Sequence, residues 1–300
     1  MSGTTCVVVN PAAGRGRIRH AAPQIRSVFA ARGITDVVET AAPGEEEVLA
    51  QQLVNGGATT IIAVGGDGTC SGVANGILRS GIKCRLAVLP CGTGNDFAKT
   101  LGVARHTPEM IADLALRGEE TRIDVGLADG RYFLNSCGFG FDAAVLEASN
   151  RVRFLAGNAV YIYSALTKLL TYRGVHTSVR GAPGVEGGKM LMVIVSNGRW
   201  LGGAFKIAPT ASVLDGRLDA CFFLDANVFR RVRLFAGAMR GTHLNMQSVR
   251  STDFARLALT FPANANIEMD GELRIATSTT VEISCVPSVL SVLAAPGALA

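Results

Sequence analysis

Thr60-Ile61-Ile62-Ala63-Val64 runs without a break into Gly65-Gly66-Asp67-Gly68-Thr69. A short apolar stretch rich in β-branched residues and closed by glycines predicts a buried strand whose end turns sharply into a helix. The same pattern recurs on both sides. Cys6-Val7-Val8-Val9 leads into Asn10-Pro11-Ala12-Ala13-Gly14, with a helix expected from about Pro23 to Arg32. Leu86-Ala87-Val88-Leu89 leads into Pro90-Cys91-Gly92-Thr93-Gly94-Asn95-Asp96. Asp36-Val37-Val38-Glu39 reads as a short strand ending at Thr40, and Gly44-Glu45-Glu46-Glu47 places acids where a helix dipole favours them. Short apolar strands alternating with helices predict a parallel α/β sheet, whose ligands bind beyond the C-terminal strand ends. Three glycine-rich turns would then line one edge.

After about Arg122 the rhythm becomes short strands with turn signals: 124–127, 132–134, 190–195, 218–224, 257–261 and 281–285. Helices are expected near 157–171, with Tyr161, Tyr163, Leu166, Leu169 and Leu170, and near 228–240. This predicts a mainly antiparallel second domain.

The chain has 300 residues, 48% hydrophobic and 18% charged, which is enough to bury a core and far from the composition of disorder. No apolar run reaches the ~18–20 residues of a spanning helix, so an intracellular protein is expected. Seven cysteines lack any C-x-x-C pair and read as reduced, mostly buried thiols. The net charge of +5 is too small to indicate nucleic-acid binding, but it is uneven. Residues 148–185 hold five bases (Arg151, Arg153, Lys168, Arg173, Arg180) and no acid, and residues 226–252 hold five arginines and no acid. In 228–240, Val228, Val232, Phe235 and Met239 fall on one helical face beside Arg230, Arg231, Arg233 and Arg240. Such a helix either packs on a core with a solvated basic rim or lies on an anionic membrane.

Glycines let main-chain N–H groups approach phosphate oxygens, and an aspartate among them can hold Mg²⁺. Each turn alone is also an ordinary strand–helix connection, with Asn95 or Asp96 as a helix cap. Their coincidence at one edge favours a nucleotide. The G-x-x-x-x-G-K-[ST] loop is missing. Gly138-Phe139-Gly140-Phe141-Asp142-Ala143 matches the first part of a dinucleotide fingerprint, but the acid about 20 residues on is absent. Neither Ser136 nor Cys137 sits in a G-x-S-x-G elbow, and the four histidines show no ligand spacing.

Six motifs in order, Asn10-Pro11…Gly14, Gly65-Gly66-Asp67-Gly68-Thr69, Gly92-Thr93-Gly94-Asn95-Asp96, Gly138-x-Gly140-x-Asp142, Ala208-Pro209…Asp215-Gly216-Arg217-Leu218-Asp219 and Asp270-Gly271-Glu272, resemble the diacylglycerol kinase catalytic family. The likeness covers nearly the whole chain and is greatest to the bacterial branch of diacylglycerol kinases and YegS-type lipid kinases, with sphingosine and ceramide kinases as relatives. It implies an α/β nucleotide-binding domain of NAD kinase/phosphofructokinase type over 1–124. A C-terminal antiparallel β-sandwich would cover 125–285, and a segment over 286–300 would return to the first domain. The active site would lie in the cleft between the domains.

By the same resemblance, Asn10, Pro11, Ala12, Ala13, Gly14, Thr40, Gly65, Gly66, Asp67, Gly68, Thr69, Gly92, Thr93, Gly94 and Asn95 would bind ATP, with Asp67 at the catalytic Mg²⁺. Asp270 would be the general base, supported by Glu272, although a bare Asp-Gly is otherwise a hairpin turn. A structural Mg²⁺ would take Asp215 and the main-chain carbonyls of Ser212 and Arg217. The implied activity is phosphoryl transfer from ATP to a hydroxyl of a membrane lipid, diacylglycerol first, in phospholipid metabolism. The enzyme would be cytoplasmic and would dock reversibly on membranes through its basic second half; a homodimer is left open, and nucleic acid is not an expected partner. One departure matters: the family commonly continues the GGDGT turn with Asn-Glu, whereas this chain has Ser71-Gly72 after Cys70. The missing acid removes a ribose- or helix-capping contact expected of the family and would weaken nucleotide affinity, but it leaves the phosphate cradle in place. It keeps open a nucleotide-binding regulator without turnover, beside the enzymatic alternative of an NAD-kinase-like small-molecule kinase.

Overall fold

The computed structural model describes residues 3–149, 151–152 and 158–299. It divides into two compact units, Met1–Ile123 with Ser288–Ala300, and Asp124–Pro287. Arg153, Gly157 and the side chain of Tyr161 lie outside the described residues.

The first unit alternates β1 (Thr4–Val9), α1 (Arg17–Ala30), β2 (Asp36–Glu39), α2 (Glu45–Asn55), β3 (Ala58–Gly65), α3 (Asp67–Ser80), β4 (Arg85–Pro90), α4 (Asp96–Thr100) and α5 (Pro108–Arg117). The strands run parallel in the order β2-β1-β3-β4, with Val8 opposite Val38 on one side and Ala63 on the other. Beyond β4, Ser291 and Val292 add a parallel edge opposite Arg85 and Leu86. Val7–Val9, Ile61–Val64 and Leu86–Leu89 are all buried, as both faces of a parallel sheet must be. Chain order reverses between β1 and β3, and the turns leaving those two strands are Asn10–Gly14 and the GGDGT segment. That reversal is where open α/β sheets form a ligand crevice.

Helix α1 starts at Arg17, six residues before the expected Pro23, which lies exposed inside it. Its buried face of Ile18, Ala22, Ile25 and Phe29 begins before the proline, and burial of that face carries the helix through.

The second unit contains most of β5 (Glu120–Ala128), then β6 (Arg131–Phe133), β7 (Ser136–Gly140), α6 (Phe141–Ser149), α7 (Asn158–Thr171), β8 (Val175–Arg180), β9 (Gly187–Ser196), β10 (Leu218–Leu224), α8 (Val228–Arg240), β11 (Val249–Phe254), β12 (Arg256–Thr260), β13 (Asn266–Met269), β14 (Glu272–Ile275) and β15 (Thr280–Leu293), which ends in the first unit. Strand β9 organises the antiparallel pairing. Its Val195 faces Cys137 of β7 on one edge and Ala220 of β10 on the other, while its beginning pairs with β8. Strands β13 and β14 continue from β7, β11 from β10, and β12 and β15 from β8.

Alternate side chains of β9 and β10 feed two cores. Val193, Val195 and Phe222 enter the sandwich interior with Phe139, Leu259 and Ile283. Ile194, Cys221 and Phe223 meet Val145, Leu169 and Leu234 of the covering helices. This double burial explains the unbroken apolar runs of β9 and β10. The fold is an α/β unit followed by an antiparallel β-sandwich.

Of the two alternatives for helix α8, core packing holds only for Phe235 of the four apolar positions. Val228, Val232 and Met239 are exposed, whereas Arg231, Leu234, Gly237 and Ala238 are buried. Arg231 can turn inward because its guanidinium donates to Leu169 O (3.0 Å), Tyr172 O (2.7 Å) and Ala226 O (2.8 Å) and pairs with Asp225 (2.6 Å). Buried charge is tolerated when so fully bonded.

Candidate functional site

The three glycine-rich turns of the first unit meet. Asn10 N–H donates to Val64 O (3.1 Å), Thr40 N–H to Val9 O (2.9 Å) and Cys91 N–H to Gly65 O (2.7 Å). A Cβ on Gly14 would lie 2.6 Å from Cys91 O, and one on Gly92 would lie 2.5 Å from Gly66 Cα. Backbone therefore touches backbone, and side chains are excluded where a phosphate chain would need main-chain donors. Gly66 precedes the first turn of α3, and Asp67, which opens that helix, accepts from Phe97 N–H in α4 (3.0 Å). The Asn10 side chain donates to Thr69 Oγ1 (3.1 Å) and accepts from Ala12 N–H (2.9 Å), tying the first turn to the second. Asn95 does not cap a helix with its side chain. Its backbone is left-handed (φ 51°), and its Oδ1 accepts from Gly92 N–H (2.8 Å), closing the loop that presents the exposed Thr93. Pro11, Ala12, Ala13 and Gly94 complete these turns, and Thr40 is buried beside the end of β1.

In the second unit Asp270 is buried at the β13–β14 turn with φ 48°. Its Oδ2 accepts from Leu134 N–H (2.7 Å), and its Oδ1 from Asn135 N–H (2.8 Å) and Ser136 N–H (3.1 Å). Glu272 pairs instead with Arg274 (2.9 Å) and lies 3.9 Å from Arg131.

The acid that grips this turn is Glu268, which composition and motif reading missed. Its Oε1 accepts from Gly271 N–H (2.5 Å), and its carboxyl feels the charge of the neighbouring Asp142 carboxyl. Both residues are buried. Gly138 stands across from Glu268 in β7, and a Cβ there would lie 2.0 Å from Asp142 Oδ2. The Gly138-x-Gly140-x-Asp142 motif thus makes room for a carboxyl pair behind Asp270.

Burial, followed by the charge of Asp142, pushes the Glu268 carboxyl well above its ordinary 4.5. Cys137 beside it is pushed up by burial and then by Glu268, Asp270, Asp142 and Asp129. The folded protein consequently keeps a proton that the unfolded chain releases near pH 4.5. That contribution to stability is complete below this pH and is lost as pH rises towards the folded value. Urea unfolding should show wild-type stability falling with pH by up to about 1.4 kcal/mol per unit across that window, with Glu268→Gln showing a flatter profile. Parallel profiles would mean that the pair holds no proton.

Asp215 Oδ1 accepts from Arg217 N–H (3.0 Å), and Asp124 Oδ2 accepts from Gly216 N–H (2.6 Å). Burial, then Asp215 and Asp253, raise Asp219 to about 6 against the opposing Arg217. Among the described residues no three His, Cys, Asp or Glu side chains converge on one point. A cation here would therefore need main-chain oxygens beside Asp215, and those of Ser212 and Arg217 are the hard-oxygen type Mg²⁺ takes.

Residues 4–128 match the model of the diacylglycerol kinase catalytic domain, and residues 135–294 that of the YegS C-terminal NAD kinase beta sandwich-like domain. A diacylglycerol kinase of Bacillus subtilis is 28% identical over 268 residues, covering 89% of this chain and 88% of the relative. A probable lipid kinase YegS-like protein of Pseudomonas syringae is 32% identical over 187 residues, 61% of this chain and 60% of the relative. A crystal structure of a diacylglycerol kinase from Bacillus anthracis superposes with a TM-score of 0.74 at 23% identity, covering 99% of this chain and 98% of that one, which shows the shared fold. Two adjoining family models, matched on the two units that carry the glycine turns and the Asp270 turn, place this chain in the diacylglycerol kinase family of lipid kinases, phosphotransferases with an alcohol acceptor.

Proposed function

We propose that this protein transfers the γ-phosphate of ATP to a hydroxyl of a membrane lipid, diacylglycerol foremost, with Asp270 as general base. The observation that supports it most is the meeting of three glycine turns at the switch point of a parallel sheet. On this reading residues 1–124 bind the nucleotide, 125–285 supply the base and meet the acceptor, and 286–300 return to complete the first domain. Phosphoryl transfer passes through a loose transition state, so alignment and charge neutralisation matter most. Main-chain N–H groups of Gly14, 66–69, Thr93 and Gly94 hold the phosphates, and the Asp270 carboxylate takes the hydroxyl proton. Asp67 fits a catalytic Mg²⁺, which needs only one or two carboxylates beside substrate phosphates and which, when bound, neutralises charge on the transferring group. Asp215 with the Ser212 and Arg217 carbonyls would hold the structural ion.

The lipid reading also draws on the second unit. Under α7 and α8 lies a narrow apolar cavity of about 40 Å³ bordered by Leu169, Leu191, Phe205, Phe223 and Leu234, suited to one end of an acyl chain once widened. On the outer side, Phe229 is 88% exposed and Leu170 64%, with Tyr163, Leu166, Val228 and Val232 exposed beside them. Arg231 bolts the two helices together by donating to Leu169 O and Tyr172 O. Arg230, Arg233 and Arg250 line an open basin of about 860 Å³ next to Phe229 in the chain. The acid in that basin, Asp225, is neutralised: burial works to raise its proton affinity, but bonds from Lys189 and Arg231 outweigh it and hold it low. Apolar side chains ringed by unopposed cations suit an anionic bilayer, and no described helix is long and apolar enough to cross one.

Labelled ATP offered with diacylglycerol in phosphatidylglycerol vesicles, and separately with NAD, tests both parts. Label should enter the lipid and not NAD. Wild type should pellet with the anionic vesicles, less so in high salt, and Phe229→Asp should cut that binding about tenfold or more. Label in NAD and never in lipid would overturn the substrate class, and equal pelleting with phosphatidylcholine would overturn electrostatic docking.

A further inference from the structure

The missing acid after the GGDGT turn has a structural counterpart. Gly72 is buried where α3 crosses α2, and a Cβ placed on it would lie 2.8 Å from Cβ of Glu46. One turn on, a Cβ on Gly76 would lie 2.3 Å from Glu47 O and 2.8 Å from Cβ of Ala50. The helices are in backbone contact, so side chains at 72 and 46 compete for one space. This chain gives that space to Glu46.

Glu46 does more there than fill volume. It is only 5% exposed, and a buried carboxylate is costly unless hydrogen-bonded. Its Oε1 accepts from Asn10 Nδ2 (2.9 Å) and its Oε2 from Gly44 N–H (2.9 Å). The same Asn10 amide reaches Thr69 of the GGDGT turn, and its Oδ1 holds Ala12 N–H. Glu46 therefore fixes which way the Asn10 amide faces, and Asn10 fixes the relation of the first two phosphate turns. Gly72, its space occupied by Glu46, and Asn10, its amide bound to Glu46, point to the same conclusion from two directions.

We propose that Glu46 is the positioning carboxylate of the nucleotide site, supplied across the helix crossing by α2 in place of a side chain at position 72. The proposal rests on the nucleotide-binding part of the kinase reading. Both Glu46 oxygens are engaged by protein donors, so it acts through Asn10 and does not itself contact nucleotide. Gly72 is then the complement of Glu46, and its presence is no sign of lost turnover.

The test uses the full chain as wild type, Glu46→Ala, Glu46→Gln, Gly72→Glu and the double variant Glu46→Gly/Gly72→Glu, which removes the Cβ that a side chain at 72 would meet. ATP binding is measured by titration calorimetry, kcat and KM for ATP by lipid phosphorylation, and folding by thermal melting. Glu46→Ala should weaken ATP binding and raise KM for ATP about tenfold, with kcat within about threefold of wild type. Glu46→Gln keeps the shape but turns an N–H₂ towards one of two donors, so it should show the same KM effect with a melt lowered no more than that of Glu46→Ala. Gly72→Glu alone should bind poorly, because two side chains meet in one space. The double variant should recover ATP binding to within about threefold of wild type, as reciprocal exchange requires. Wild-type ATP affinity in the Gln variant, or a folded double variant no better than either single, would overturn the proposal. ATP binding by wild type without transfer to any acceptor would sink the kinase reading instead and leave the Glu46 result readable by calorimetry.

Discussion

Asp270→Asn should lower kcat for lipid phosphorylation by about 10² to 10⁴, the range that loss of a general base produces, with KM for ATP nearly unchanged. The substitution also disturbs a local bond set. An amide can still accept from Asn135 and Ser136 N–H at Oδ1, but its N–H₂ would then face the Leu134 N–H that Oδ2 accepts from. One buried donor loses its partner, at a cost of about 1–3 kcal/mol. A lower melting temperature should therefore accompany the kinetic loss, and calorimetric ATP binding at a temperature well below the melt separates the two. Activity within tenfold of wild type would remove Asp270 from the proton-transfer role.

Gly92→Ala should cost about 100-fold in kcat/KM for ATP. Its new methyl would sit 2.5 Å from Gly66 Cα and 2.9 Å from Asn95 Oδ1, and the first of these is backbone that cannot rotate away. The second and third phosphate turns must separate, and displacement of a binding frame by about 1 Å is enough for such a loss. Gly81→Ala is the matched control: its φ of 67° strains an alanine, yet nothing lies within 4 Å of the new Cβ. It should lower stability by about 1 kcal/mol and leave ATP kinetics alone. Equal kinetic loss in both variants would mean that the Gly92 effect is general destabilisation.

The parallel unit was readable because strand, glycine turn and helix follow one another in sequence, so local pattern and topology coincide. Asn10, Gly66, Thr69 and Gly92 are close because three strands end at one edge, and that follows from parallel pairing alone. The antiparallel unit hid more. Strands β8, β11 and β14 escaped notice because their exposed positions break the apolar runs that mark β9 and β10, and β13 because the buried Glu268 interrupts its own short run. Periodicity showed that α8 has an apolar face but could not say which way it points. That was decided by Arg231, whose acceptors at Leu169 and Tyr172 lie about sixty residues away. Glu268 and Asp142 were invisible as a pair for the same reason, although the glycine at 138 that admits them was in plain view. Glu46 was read as one of three acids at a helix start; only the helix crossing distinguishes it from Glu45, which bonds Ala41 and Ala42 N–H locally.

The first unit draws its outer parallel edge from Ser291 and Val292, reached only after the whole of Asp124–Pro287 has been made. A ribosome adding about 5–20 residues per second leaves roughly ten to forty seconds in which β4 has an open flank. During that interval the nascent chain carries a ready template for a neighbouring polypeptide, and the sandwich, whose own strands are contiguous, can close first. The first unit is thus begun first but completed last, once Ser291 and Val292 have been added.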